Sequence, residues 1–122
     1  MRGKFILGVG ILLVLTACTT NRIPEKLRTD LHLGEAGYFK SRCPQYKKID
    51  TEGAVIVYCL ANKAYNRGCN PDQVARSFID GTLEGFKSAK LRYQNVSDKK
   101  LCSIAESKYG ANGSEMKQLL KR

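Results

Sequence analysis

The segment from Asn70 to Tyr93 constrains this chain most, because it can hardly be anything but one long amphipathic helix. Asn70 is an N-cap residue, Pro71 suits the first helical position, Asp72 the first turn and Gln73 the third. Ala75, Phe78, Ile79, Thr82, Leu83, Phe86, Ala89 and Tyr93 then recur at three-to-four spacing, which predicts a helix over roughly 71–93. Gly81 and Gly85 interrupt it on neighbouring turns, each at about 1 kcal/mol relative to alanine. Their presence points to close approach by another helix.

The rest of the chain reads the same way. Ser97 and Asp98 open a second helix through Leu101, Cys102, Ile104, Ala105 and Tyr109, with Gly110 as its stop. Ser114 and Glu115 are expected to open a last short helix holding Met116, Leu119 and Leu120. Upstream, Val55, Ile56 and Val57 are β-branched and suit a strand, but length and the flanking Leu60, Ala61 and Ala64 favour a helix from about 52 to 66. Being apolar nearly all round, it is expected at the centre of the fold. From Pro24 to Lys40, Leu27, Leu31, Tyr38 and Phe39 permit a helix, broken near Gly34 or Gly37 and ended before Pro44. The expected fold class is all-α, a small disulfide-braced bundle of four to five helices over residues 25–122.

The first residues carry a different signal. Arg2 and Lys4 precede an apolar run from Phe5 to Leu15 and then small residues before a cysteine, the layout of a cleaved secretory signal peptide over residues 1–17. That run is shorter than the about 20 apolar residues a membrane span requires. Leu15, Thr16, Ala17 and Cys18 resemble the lipobox of bacterial lipoproteins. The resemblance implies that Cys18 becomes the mature first residue and carries a diacylglycerol. Two or three chains would anchor it stably, at about 0.8 kcal/mol per buried methylene. Thr19, where aspartate would favour inner-membrane retention, points to the outer membrane, facing the periplasm. Residues 18–24 then form a lipidated tether.

Cys43, Cys59, Cys69 and Cys102 remain, an even number in an oxidising compartment, and two disulfides are expected. His32 is the only histidine and no C-x-x-C pair exists, so neither a zinc site nor any cofactor is expected. Three pairings are open. Cys59 lies inside one expected helix and Cys69 just before the next, so a bond between them looks disfavoured, and the lean is to Cys59 with Cys102 and Cys43 with Cys69.

No catalytic constellation stands out. The sequence contains no G-x-S-x-G elbow, phosphate loop or H-E-x-x-H, and Asp80 with Glu84 reads as an ordinary solvated pair beside Arg76 and Lys87. A Cys–His dyad needs a free thiol that the disulfides consume. The chain is therefore expected to bind rather than catalyse. The mature chain keeps 19 of the 21 Lys and Arg, having lost Arg2 and Lys4, and all 11 acids, for a formal charge of +8. That favours an acidic protein, anionic lipid or cell-wall polymer, and a periplasmic address disfavours nucleic acid. Arg92, Tyr93, Gln94 and Asn95, after the long helix, and Arg67 in the loop before it are candidate contact residues.

The stretch VYCLANKAY, residues 57–65, followed by KKLCSIAESKY, residues 99–109, resembles the immunity proteins that neutralise type VI secretion amidase effectors. Cys59, Leu60, Ala61, Ala64 and Tyr65 match the first motif, with one extra residue between Ala61 and Ala64; Leu101, Cys102 and Tyr109 match the second. The resemblance implies a periplasmic all-helical inhibitor, often a homodimer, that pushes a loop into the cleft of a peptidoglycan-cleaving amidase. The alternative expectation is an accessory lipoprotein of an envelope secretion or conjugation apparatus, including those that exclude a second conjugating donor.

Overall fold

The computed structural model describes residues 23–65 and 67–122. The expected signal peptide, Cys18 and the expected tether up to Arg22 lie outside the described residues. After a 3-10 turn at Glu25–Leu27 come four α-helices: α1 (Thr29–Arg42), α2 (Thr51–Ala64), α3 (Pro71–Tyr93) and α4 (Asp98–Tyr109). Two short strands, β1 (Lys48–Ile49) and β2 (Leu120–Lys121), complete the described elements. The fold is all-α and braced by two disulfides.

Three helix starts carry side-chain caps that satisfy orphan backbone N–H groups. Asp50 accepts from Gly53 N, Asn70 from Asp72 and Gln73 N, and Ser97 from Lys100 N. The end of α3 is finished from outside its own sequence. Arg42, at the end of α1, donates to the carbonyls of Tyr93 (2.9 Å) and Val96 and to Asp98 Oδ1 (2.8 Å). One guanidinium thus caps carbonyls at the end of α3 and in its loop, Tyr93 O accepting from Val96 N–H as well, at the pole where a cation is favourable.

The central helix is α1, packed along α3, and the seam between them is built on glycines. A Cβ on Gly85 would lie 2.2 Å from Leu31 O, and one on Gly34 would lie 2.0 Å from Thr82 O. Gly81 makes room for the fully buried carboxylate of Asp30, which Arg28 clamps through Nε (2.9 Å) and Nη2 (2.8 Å). The close approach expected at Gly81 and Gly85 is therefore present and accounts for Gly34, while α1 runs unbroken through both Gly34 and Gly37 rather than breaking there. Beyond this seam, Phe39, Tyr109, Leu101, Leu119 and Leu120 fill the core, with the Phe39 ring 5.2 Å from that of Tyr93 and 6.0 Å from that of Tyr109.

Three further expectations are corrected. First, α2 is peripheral: Ala54, Tyr58 and Ala61 face inward, while Ile56 and Leu60 are each 60% exposed. Second, residues 114–120 form turns and β2 rather than a helix. Gln118 takes a φ of 59° and its N–H donates to Gly110 O, which closes off helical continuation. Leu120 then pairs with Ile49 and Lys121 with Lys48, and consecutive Leu119 and Leu120 are both buried. A segment this short has little helical stability of its own, so the waiting backbone of β1 and the core decide its shape.

Third, the disulfides are Cys43–Cys102 and Cys59–Cys69, with Cα atoms 5.7 and 5.4 Å apart; Cys59 with Cys102 and Cys43 with Cys69 are not formed. The chain after α2 turns back at once. Arg67 N–H donates to Asn62 O at 2.8 Å and Gly68 adopts a φ of 71°, so Cys69 comes alongside the last turns of α2. Five helical residues rise only about 7.5 Å, well within the reach of five extended ones.

Candidate functional site

Among the described residues, packing leaves unused an apolar groove between α2 and α3. On α2 its wall is Thr51, Val55, Ile56, Cys59 and Leu60; on α3 it is Val74, Ala75, Phe78, Ile79, Thr82 and Leu83, with Leu33 of α1 in the floor. Its volume is about 780 Å³. The reason it exists is a division of labour on α3. Gly81, Gly85 and Ala89 face α1, so the residues at 75, 79 and 83 fall on a second, unburied stripe. Ile79 is 58% and Leu83 55% exposed, matching Ile56 and Leu60 across the gap.

The two walls are held apart at fixed places. Tyr58 reaches from α2 to α3, its hydroxyl 2.6 Å from Ser77 Oγ and its ring 5.3 Å from that of Phe78. The Cys59–Cys69 disulfide closes the end where α2 runs into α3. At the other end Thr29 Oγ1 donates to Ala54 O at 2.8 Å and fixes α2 to α1. A contiguous exposed apolar surface on so constrained a frame is the hallmark of a docking site.

A second concavity, of about 560 Å³, lies among the 3-10 turn, α1, the later part of α3 and the end of α4. It is polar and built around the buried carboxylate of Glu35. Tyr109 Oη donates to Glu35 Oε1 at 2.7 Å, Lys108 Nζ pairs with the same oxygen, and Arg92 Nη1 donates to Oε2 at 3.0 Å. His32 Nδ1 is 2.8 Å from Tyr109 Oη. Burial, and then the hydrogen bond to Glu35, push the Tyr109 phenol far up from its ordinary value, so it stays protonated as a donor.

No family model, no curated protein and no solved structure matches the chain.

The contact residues expected from the sequence do not form one surface. Arg67 is exposed at the disulfide end of the groove, whereas Arg92, Tyr93, Gln94 and Asn95 sit at the far end of α3, about 33 Å away along its axis. Of that second set, Arg92 is tied to Glu35, Tyr93 is half-buried against Phe39, and Gln94 and Asn95 are exposed. His32, the only histidine, joins the Glu35 network.

Sequence reasoning missed both concavities. The groove had a signal, since apolar residues encircle α2 and the apolar positions of α3 are too many for one face. Nothing in the pattern marked Glu35 among the residues of α1. Among the described residues, no cluster of three or more His, Cys, Asp or Glu stands ready to hold a metal ion, and no helix is long and apolar enough to cross a membrane.

Proposed function

We propose that this chain is a periplasm-facing lipoprotein, anchored through Cys18, that works by binding a protein in the α2–α3 groove. The observation that carries this reading is the groove itself: four large aliphatic side chains, Ile56, Leu60, Ile79 and Leu83, more than half exposed on two helices locked by Tyr58 and a disulfide. Such a cleft suits an amphipathic helix or apolar ridge of a partner, its anchors spaced to meet i and i+4 positions. Rigidity limits what is lost on association. Exposed Lys63 and Arg67 flank the disulfide end and the mature chain carries 19 cations against 11 acids, so the partner's rim should be acidic.

The partner that best fits an anchored, envelope-facing binder is an enzyme that attacks the cell wall from the periplasmic side. The resemblance of residues 57–65 and 99–109 to amidase immunity proteins supports the same choice. In this reading the protein is an immunity factor, protecting its cell by occupying the effector.

The test is direct. The purified chain is mixed with peptidoglycan-cleaving amidase effectors of type VI secretion, and complex formation and residual hydrolysis are measured. A stoichiometric inhibited complex is expected, weakened at least about tenfold by Leu60→Asp or Ile79→Asp while helicity is kept. A hydrolase that stays active at saturating protein overturns the proposal, and crosslinking in cells to a multiprotein envelope machine would assign the chain to that machine instead.

A further inference from the structure

We infer that the end of α3 and the start of α4 form a second attachment surface, which lies on an anionic lipid bilayer and stands the groove upright above it. The inference rests in part on the Cys18 anchor proposed above. Between Gly85 and Ala105 the sequence holds five cations, Lys87, Lys90, Arg92, Lys99 and Lys100, against one acid, Asp98. Arg42 takes Asp98 at 2.7 Å and Arg92 goes to Glu35. The four lysines are exposed, and among the described residues none of them is in an ion pair. Cations suit the C-terminal pole of a helix, but Arg42 already serves that pole by donating to the carbonyls of Tyr93 and Val96. The lysine charge is therefore left for something outside the molecule. The acids of α3, Asp72, Asp80 and Glu84, sit on its earlier turns, away from this end.

Leu91 gives the patch an apolar point. It is 71% exposed, more than any other large hydrophobic residue described, and its helix-surface neighbours Lys87, Ser88, Gln94 and Asn95 are polar, so it does not continue the groove. Lysine stems can lie along the acyl boundary around such a leucine while their ammonium groups reach the phosphates. Each cation at an anionic surface raises partitioning about fivefold. The tether favours lipid over an acidic protein. Glu25 and Lys26, near its folded end, line the same concavity as Ser88 and Arg92, within a turn of Leu91. Cys18 lies five residues before Ile23, at most about 17 Å of chain. A lipidated Cys18 thus keeps this end of α3 beside the bilayer. Leu83, in the groove, is then about 12 Å from Leu91 along the axis, and the disulfide end of the groove points away from the membrane.

The chain contains no tryptophan, so Leu91→Trp and, in the groove, Ile79→Trp each supply a single reporter at a position more than half exposed. The full chain carrying either one is mixed with vesicles of brominated phosphatidylcholine, alone or with phosphatidylglycerol, and indole emission is read. The Leu91→Trp emission should shift to the blue and be quenched about threefold more with phosphatidylglycerol than without, a difference that high salt removes. Changing Lys87, Lys90, Lys99 and Lys100 to glutamine in the same chain should abolish the difference while helicity is kept. Equal quenching in the two vesicles, or an indole that stays in water in both, as when the patch serves an acidic protein, would overturn the assignment. Stronger quenching of Ile79→Trp would overturn it as well, by laying the groove on the bilayer. Sedimentation in high salt reads the anchor separately: a chain washed off both vesicles counts against lipidated Cys18, while the quenching difference in low salt still decides the patch.

Discussion

The seam between α1 and α3 permits a calculation with an internal control. In Gly85→Ala the new methyl would sit 2.2 Å from Leu31 O, 2.9 Å from Leu31 C and 3.0 Å from Leu31 Cα, all backbone atoms that cannot rotate away. Ordinary contact begins at 3.4 Å, so the two helices must part locally by roughly 1 Å. A gap of that order forfeits about a quarter to a half of the dispersion at contacts across the seam. Overpacking of this kind costs about 1–3 kcal/mol, and with helix backbone on both sides the upper end applies. Alanine's better helix propensity returns about 1 kcal/mol, leaving a net loss of about 2 kcal/mol. For a domain this size that is a fall in Tm of roughly 8–16 °C. The control is Gly37→Ala, whose methyl would meet only Ile49 Cδ1 and Phe86 Cδ2, both at 3.9 Å. It should gain up to about 1 kcal/mol and melt higher. Thermal and urea unfolding of the oxidised protein, followed by far-UV circular dichroism, measure both. A Gly85→Ala protein as stable as the parent, or a Gly37→Ala protein that loses as much, would refute the account of the seam.

The two disulfides should differ in weight. Cys43–Cys102 closes 59 residues and Cys59–Cys69 only 10, so loop-closure entropy predicts losses of about 4 and about 3 kcal/mol when each pair is replaced by alanine; urea midpoints in the reverse order would contradict this. Non-reducing peptide mapping should recover the same two pairs, and a peptide joining Cys59 to Cys102 would refute the connectivity. Burial first, and then its bond to Glu106 at 2.5 Å, raise the Tyr46 phenol from 10.0 to about 12. Because the folded state holds this proton more tightly, the stabilisation is complete below pH 10 and is lost between pH 10 and about 12. The stability gap between wild type and Tyr46→Phe should shrink across that window, and parallel profiles would show that Tyr46 plays no such part. Asp50→Ala removes the cap on Gly53 N and should cost about 1 kcal/mol in thermal unfolding, with no loss counting against the cap.

Local grammar made much of this fold readable. Asn70 and Ser97 mark helix starts by satisfying donors within three residues, Pro71 by bringing no N–H to satisfy, and Gly110 marks a stop, so α3 and α4 are visible to within a residue. What was hidden depends on partners distant in sequence. Gly34 looks like a helix breaker until Thr82 is placed against it. The lean against Cys59–Cys69 assumed a chain that climbs away from α2, whereas Gly68 turns it back within a few residues. Leu119 and Leu120 carry no mark of a strand, since their shape is set by β1, some seventy residues earlier. The same holds for the sites. The groove follows from which face of α3 is claimed by α1, and the Glu35 network gathers α1, α3 and α4, none of which names the others.

The pairing of Lys121 with Lys48, and the burial of Leu119 and Leu120 behind it, clasp together two segments some seventy residues apart. Closing so long a loop has an entropic cost that must be met before the buried leucines reward it. Until that clasp forms, the space the leucines fill stays open to water, so docking of this segment is expected to be a late event on the folding path.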